Sequence, residues 1–156
     1  MRIYTDASTK KQSGIAFIIT DECDVEISRG VSYIEEPDNN TAELKAILYG
    51  LQSASHLSGG ITVLSDSKYA VGVIKTGQCR PWEKETLDEI YKITSTRRCN
   101  FMWIKGHCNN GTILAYYNKQ ADNLAKKVRK SYSARKRIAK QIKNARSFAY
   151  KQKTRE

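Results

Sequence analysis

Thr41-Ala42-Glu43-Leu44-Lys45-Ala46-Ile47-Leu48-Tyr49-Gly50-Leu51-Gln52-Ser53-Ala54, closed by Gly59-Gly60 and followed by Ile61-Thr62-Val63-Leu64, is the stretch that decides the fold. Leu44, Ile47, Leu48, Leu51 and Ala54 recur at the spacing of one helical face, so residues 41–54 are expected to be helical. The short apolar run that follows reads as a strand. Upstream the period is different. Residues 2–5, residues 14–19 and roughly residues 25–33 are strand-like runs, broken by Asp21-Glu22 and by residues 35–40 with Pro37. Three strands with short connections suit an antiparallel meander. Downstream, short helices are expected at residues 67–75 and 83–95 and a fifth strand at residues 101–104. Tyr117, Ala121, Leu124, Ala125 and Val128 mark a last helix that runs into the C-terminal stretch. Helices alternating with strands after an antiparallel start imply an α/β fold. Its five-stranded mixed sheet has three antiparallel strands, then two parallel ones, and helices flank it.

The chain has 156 residues, with 27 Lys plus Arg against 16 Asp plus Glu. One ordinary domain of this size can bury a substantial core. The charge is unevenly placed. Residues 126–156 carry 13 basic residues and one acid, whereas residues 1–125 are close to neutral. So basic a segment attracts polyanions by neutralising phosphates and releasing counterions. Two units are therefore expected, a body at residues 1–130 and a basic helical extension at residues 131–156 that binds nucleic acid. Within the extension, Ile138, Ile142, Ala145 and Ala149 on one side and Lys136, Lys140 and Lys143 on another suggest a further amphipathic helix over residues 135–148. No apolar run is long enough for a membrane span, and no signal-peptide pattern opens the chain. Cys23, Cys79, Cys99 and Cys108 form no Cys-x-x-Cys pair. Reduced thiols and a cytoplasmic location are the expectation.

Four acids fall at element ends or on the last helix: Asp6, Glu43, Asp66 and Asp122. Each has a structural alternative. Asp6 suits a strand-end turn, Asn40-x-x-Glu43 reads as a capping box, Asp66 is an acceptable N-cap, and Asp122 could be a solvated helix charge. The words around them change the balance when taken together: Ile3-Tyr4-Thr5-Asp6-Ala7-Ser8, Asn39-Asn40-Thr41-Ala42-Glu43-Leu44, Leu64-Ser65-Asp66-Ser67, Trp103-Ile104-Lys105-Gly106-His107 and Ala121-Asp122-Asn123-Leu124-Ala125. In this order and on these elements, residues 1–130 resemble the type 1 ribonuclease H family.

That resemblance implies a ribonuclease H-like fold and a metal-dependent endonuclease that cuts the RNA strand of RNA–DNA hybrids, leaving 5′-phosphomonoesters. It implies two Mg²⁺ ions, with Mn²⁺ as a substitute, held by Asp6, Glu43, Asp66 and Asp122. Asp6 would bridge both ions, Asp122 would complete the water-activating site, and Glu43 and Asp66 would face the leaving 3′ oxygen. His107 would assist proton transfer or product release. Asn39 and Asn40 match the family's minor-groove contacts, and Ser8, Ser67 and Lys68 are further candidates for substrate binding. The expected assembly is a monomer. Chemistry favours the same grouping: in-line phosphodiester hydrolysis develops charge on attacking and leaving oxygens, which two hard cations roughly 3.5–4 Å apart can stabilise together. Such cations prefer carboxylates and water.

The match is imperfect in four places. Thr9-Lys10-Lys11-Gln12-Ser13-Gly14 replaces the family's Gly- and Asn-rich loop, and Lys68 stands where a Gln is common. The span from His107 to Asp122 is longer than in the common bacterial form. Residues 78–95, where some members carry a basic protrusion, hold only Arg80, Lys84 and Lys92 against four acids. Two rivals therefore stand beside the nuclease reading: a non-catalytic module binding hybrid or double-stranded RNA, and a nuclease of the same fold acting on a DNA substrate.

Overall fold

The computed structural model describes residues 1–106 and 111–153, with side chains through residue 143. Strands β1 (Arg2–Thr9), β2 (Ser13–Thr20) and β3 (Glu26–Ile34) form the antiparallel meander. Helix α1 (Asn39–Ser53) leads to β4 (Ile61–Ser65), α2 (Lys68–Thr76), a 3₁₀ turn at Pro81–Glu83, α3 (Lys84–Thr94), β5 (Cys99–Trp103) and α4 (Ile113–Lys153). The sheet order is β3-β2-β1-β4-β5, with β4 parallel to both β1 and β5. The expected mixed sheet is thus present. In one register detail the fold prepares the site: Thr5 pairs with Ser65, so Asp6, which lies within β1 and not at its end as expected, stands beside Asp66 just past the end of β4.

Residue alternation along β1 divides the core. Ile3 packs with Phe17, Leu44, Ile47, Leu51 and Val63 beneath α1, α2 and α3. Tyr4 points the opposite way and packs with Ile18, Leu64, Tyr117 and Ala121 beneath α4. Each fully buried Leu or Ile contributes about 1.5–3 kcal/mol, so both faces of the sheet need their helices. Gly14 sets how closely α4 approaches. A Cβ there would lie 2.6 Å from Val128 Cγ1 and closer still to the Ala125 carbonyl.

Several boundaries differ from expectation for physical reasons. The two helices read in the C-terminal stretch are one 41-residue helix, α4, because no Gly or Pro interrupts residues 113–153. Helix α1 begins two residues early, since Asp38 is its N-cap and accepts from the Thr41 N–H at 2.9 Å. The capping box on Asn40 is therefore not formed. Ser67, rather than Asp66, caps α2 by accepting from the Ala70 N–H at 3.1 Å. Both corrections release an acid from cap duty. Cys23, Cys79 and Cys99 are free thiols. Among the described residues no helix is long and apolar enough to cross a membrane.

Candidate active site

Asp6 arrives on a central strand, Glu43 on the first turns of α1, and Asp66 just past β4. Asp6 and Glu43 are 5% and 4% exposed. Carboxylate oxygens of these two and of Asp66 all lie within 4.8 Å of one another. Burial, reinforced by the charges of Asp66 and Asp122, pushes the Asp6 carboxyl up to about 8. Glu43 is raised well above the usual carboxylate range, first by burial and then by the charge of Asp6. The Ala7 N–H, donated to Asp6 Oδ1 at 2.7 Å, opposes the rise without cancelling it. Glu43 Oε2 is buried without a hydrogen-bond partner. Unpaired carboxylate oxygens packed this closely are costly unless protons or cations sit among them. All are hard oxygen donors, the ligand type that Mg²⁺ and Mn²⁺ favour, so the residues present fit a divalent-cation centre.

Asp122 lines the same cleft of about 560 Å³ but is not one of the trio. Its Oδ2 accepts from Lys126 Nζ at 2.6 Å, one helical turn further along α4. One turn earlier, the buried Asn118 donates from Nδ2 to Asp66 Oδ2 at 3.3 Å. Sequence reasoning passed over Asn118 and Lys126, although their i−4 and i+4 spacing from Asp122 was a usable signal. Gly106 is a second constraint on Asp66. A Cβ there would stand 3.1 Å from Asp66 Cγ and closer still to Oδ2, so only glycine lets the backbone after β5 pass this carboxylate.

The candidate substrate residues share the cleft. Ser8, Asn39, Asn40, Ser67 and Lys68 all line it. Ser8 is buried and accepts from Arg129 Nε at 3.0 Å through its Oγ. Asn39 is exposed and Asn40 half-buried at the start of α1. Lys68 Nζ lies 4.7 Å from the ring centre of Trp103, whose Nε1 donates to the Asp66 carbonyl at 3.0 Å. His107 lies outside the described residues.

Glu83 is another functional neighbour that the sequence did not disclose. Fully buried, it accepts from the Thr41 hydroxyl at 2.8 Å, the Tyr69 hydroxyl at 2.6 Å and the Arg80 N–H at 3.0 Å. Thr41 stands between Asn40 and Glu43, and Tyr69 follows Lys68. One carboxylate thus ties the first turn of α1 to the first turn of α2, beside the residues Asn40, Glu43, Lys68 and Tyr69 that line the cleft. Arg80 also pairs with the α1 cap, Asp38, at 3.0 Å.

Comparison with known proteins agrees with this geometry. The family model described as RNase H matches residues 1–130. The ribonuclease H of Thermoanaerobacter sp. (strain X514) is 28% identical over 143 residues, covering 80% of this chain and 86% of the relative. That of Schizosaccharomyces pombe is 33% identical over 107 residues, covering 60% of this chain and 37% of its own. Among solved structures, LC11-RNase H1 in complex with an RNA/DNA hybrid superposes with a TM-score of 0.68 at 25% identity, covering 81% and 94% of the two chains. RNase H1 from Halobacterium salinarum, 14% identical, gives a TM-score of 0.70 over 83% and 97% of the two chains and bears on the fold alone.

Proposed function

The chain belongs to the ribonuclease H family, and from that premise we propose that it is a divalent-metal-dependent endonuclease hydrolysing the RNA strand of RNA–DNA hybrids. The observation that carries this reading is the convergence of Asp6, Glu43 and Asp66 within 4.8 Å, in a cleft that Asp122 also lines. These four carboxylates would hold two cations, Mg²⁺ being the natural choice for an all-oxygen set. When bound, the cations supply an activated water and neutralise charge on the attacking and leaving oxygens.

The chain's own residues do the rest. Asp6, its carboxyl pushed up to about 8, would give up its proton where a cation binds, and Glu43 is shifted in the same direction by burial and by the charge of Asp6. Asn118 holds Asp66 by a hydrogen bond to Oδ2, and Gly106 leaves that carboxylate the room it occupies. Lys126 pairs with Asp122 and offsets its charge at the edge of the cleft. Asn39 and Asn40 present short amide donors and acceptors at the rim, the type of group that reads a 2′-hydroxyl across a wide, shallow minor groove. Lys68 would meet a phosphate, and Ser8 and Ser67 the adjoining backbone, since all three line the cleft.

The test is cleavage of an end-labelled hybrid by the parent chain and by Asp6→Asn, each with Mg²⁺ and with chelator. Cleavage confined to the RNA strand and abolished by chelator is expected. Changing even an outer-sphere partner of a metal typically costs 10–100-fold, so Asp6→Asn should lose more than about 100-fold. Cleavage that persists in chelator would remove the metal-dependent reading, and no cleavage of the hybrid with Mg²⁺ would remove the nuclease reading.

A further inference from the structure

Helix α4 begins over the cleft and continues past the body. Counting from Lys126, the residues Lys130, Ser133, Arg137 and Lys140 follow at i+4, i+7, i+11 and i+14, one face of a helix. Opposite that face stands the tip of the β1–β2 hairpin, with the exposed Lys10 and Lys11. Together they form a groove whose lining includes Arg129, Lys130, Arg137, Lys140 and Lys143 and no Asp or Glu. Lys136, also on the lining, pairs with Glu35 at 3.5 Å in an exposed contact. The groove joins the cleft directly, because Arg129 on its wall donates to Ser8 inside the cleft.

We propose that this hairpin–helix groove is a phosphate track that holds the duplex flanking the cut site. It rests on the hybrid-nuclease reading for its polarity, since it runs outward from that cleft. Lys126 to Lys143 spans about 26 Å at 1.5 Å per residue, roughly eight base steps at 3.4 Å per step along a strand. An anionic membrane is the less suitable occupant. Surface-bound helices carry a broad apolar face, and the outer half of α4 exposes only Ile138 and Ile142 as large apolar residues among those described. The contacts are with backbone charge, so they carry affinity and register without sequence preference.

Two sets of exposed residues test this: Arg137→Gln, Lys140→Gln and Lys143→Gln on the helix, and Lys10→Gln with Lys11→Gln on the hairpin. Binding to a fluorescent hybrid is measured by anisotropy across a salt series in chelator, with a short duplex that fills only the cleft and one about eight base pairs longer. Each phosphate contact contributes about 0.9 to the slope of log affinity against log salt. Both sets are expected to lower the slope and weaken binding of the long hybrid while leaving the short one unchanged. Circular dichroism confirms that the variants remain folded. Parent-like slopes on the long hybrid would overturn the proposal, as would a loss confined to binding of phosphatidylserine vesicles. Cleavage by the parent is scored separately: salt-sensitive binding without any cleavage leaves the track standing and removes the nuclease reading.

Discussion

At the scale of single residues, the central fact is a carboxyl group held far from its usual titration range. Asp6 rises from 3.8 to about 8, so over that interval the native chain holds a proton that the unfolded chain has released. Stability must then fall with rising pH across the window. In chelator, this contribution to the melting temperature should be fully present near pH 4 and be lost progressively until about pH 8. Asp6→Asn removes that titration and should show a shallower decline, although Glu43, shifted in the same direction, will preserve part of it. Cations act oppositely, because they bind the deprotonated site. Saturating Mg²⁺ should therefore raise the melting temperature more at pH 8 than at pH 6. Thermal melts at both pH values, with and without Mg²⁺, decide this; an equal increment at the two would contradict the assignment of the shifted groups to the metal centre.

Between secondary-structure elements, the Glu83 carboxylate is the most exacting contact. Glu83→Ala strands the buried Thr41 hydroxyl together with the Tyr69 hydroxyl and the Arg80 N–H. Leaving a buried donor unsatisfied costs roughly 1–3 kcal/mol, so a loss of about 2–4 kcal/mol in a urea titration is expected. Glu83→Gln, which keeps a carbonyl acceptor, should lose less. Because Thr41 adjoins Asn40 and Tyr69 adjoins Lys68, the Gln variant should raise KM for hybrid more than it lowers kcat. Element order and the four acids were readable because periodicity and flanking words are local. Cap identity was not: Asp38 competes with Asn40, and Ser67 with Asp66, using the same chemistry. What decides is that Glu43 and Asp66 are drawn into a cluster assembled from three elements. Glu83 was equally hidden, since Pro81-Trp82-Glu83 looks like a surface turn until donors 42 and 14 residues away meet it.

Considered as a whole, the molecule is a sheet whose two faces are covered by very different means. Three helices share one side, while α4, with Ile104 beside it, covers Tyr4, Ile18 and Leu64 on the other. A chain ending at residue 112 would expose that second face and should show no cooperative thermal transition. A chain ending at residue 143 keeps every described contact of α4 with the sheet and should melt as the full chain does. The same arrangement bears on synthesis. Asp6 leaves the ribosome before α4, and its site is unfinished until α4 has emerged and docked over Tyr4. The cleft therefore stays incomplete in a nascent chain until the part of α4 that carries Tyr117, Ala121 and Asp122 has been made and has docked.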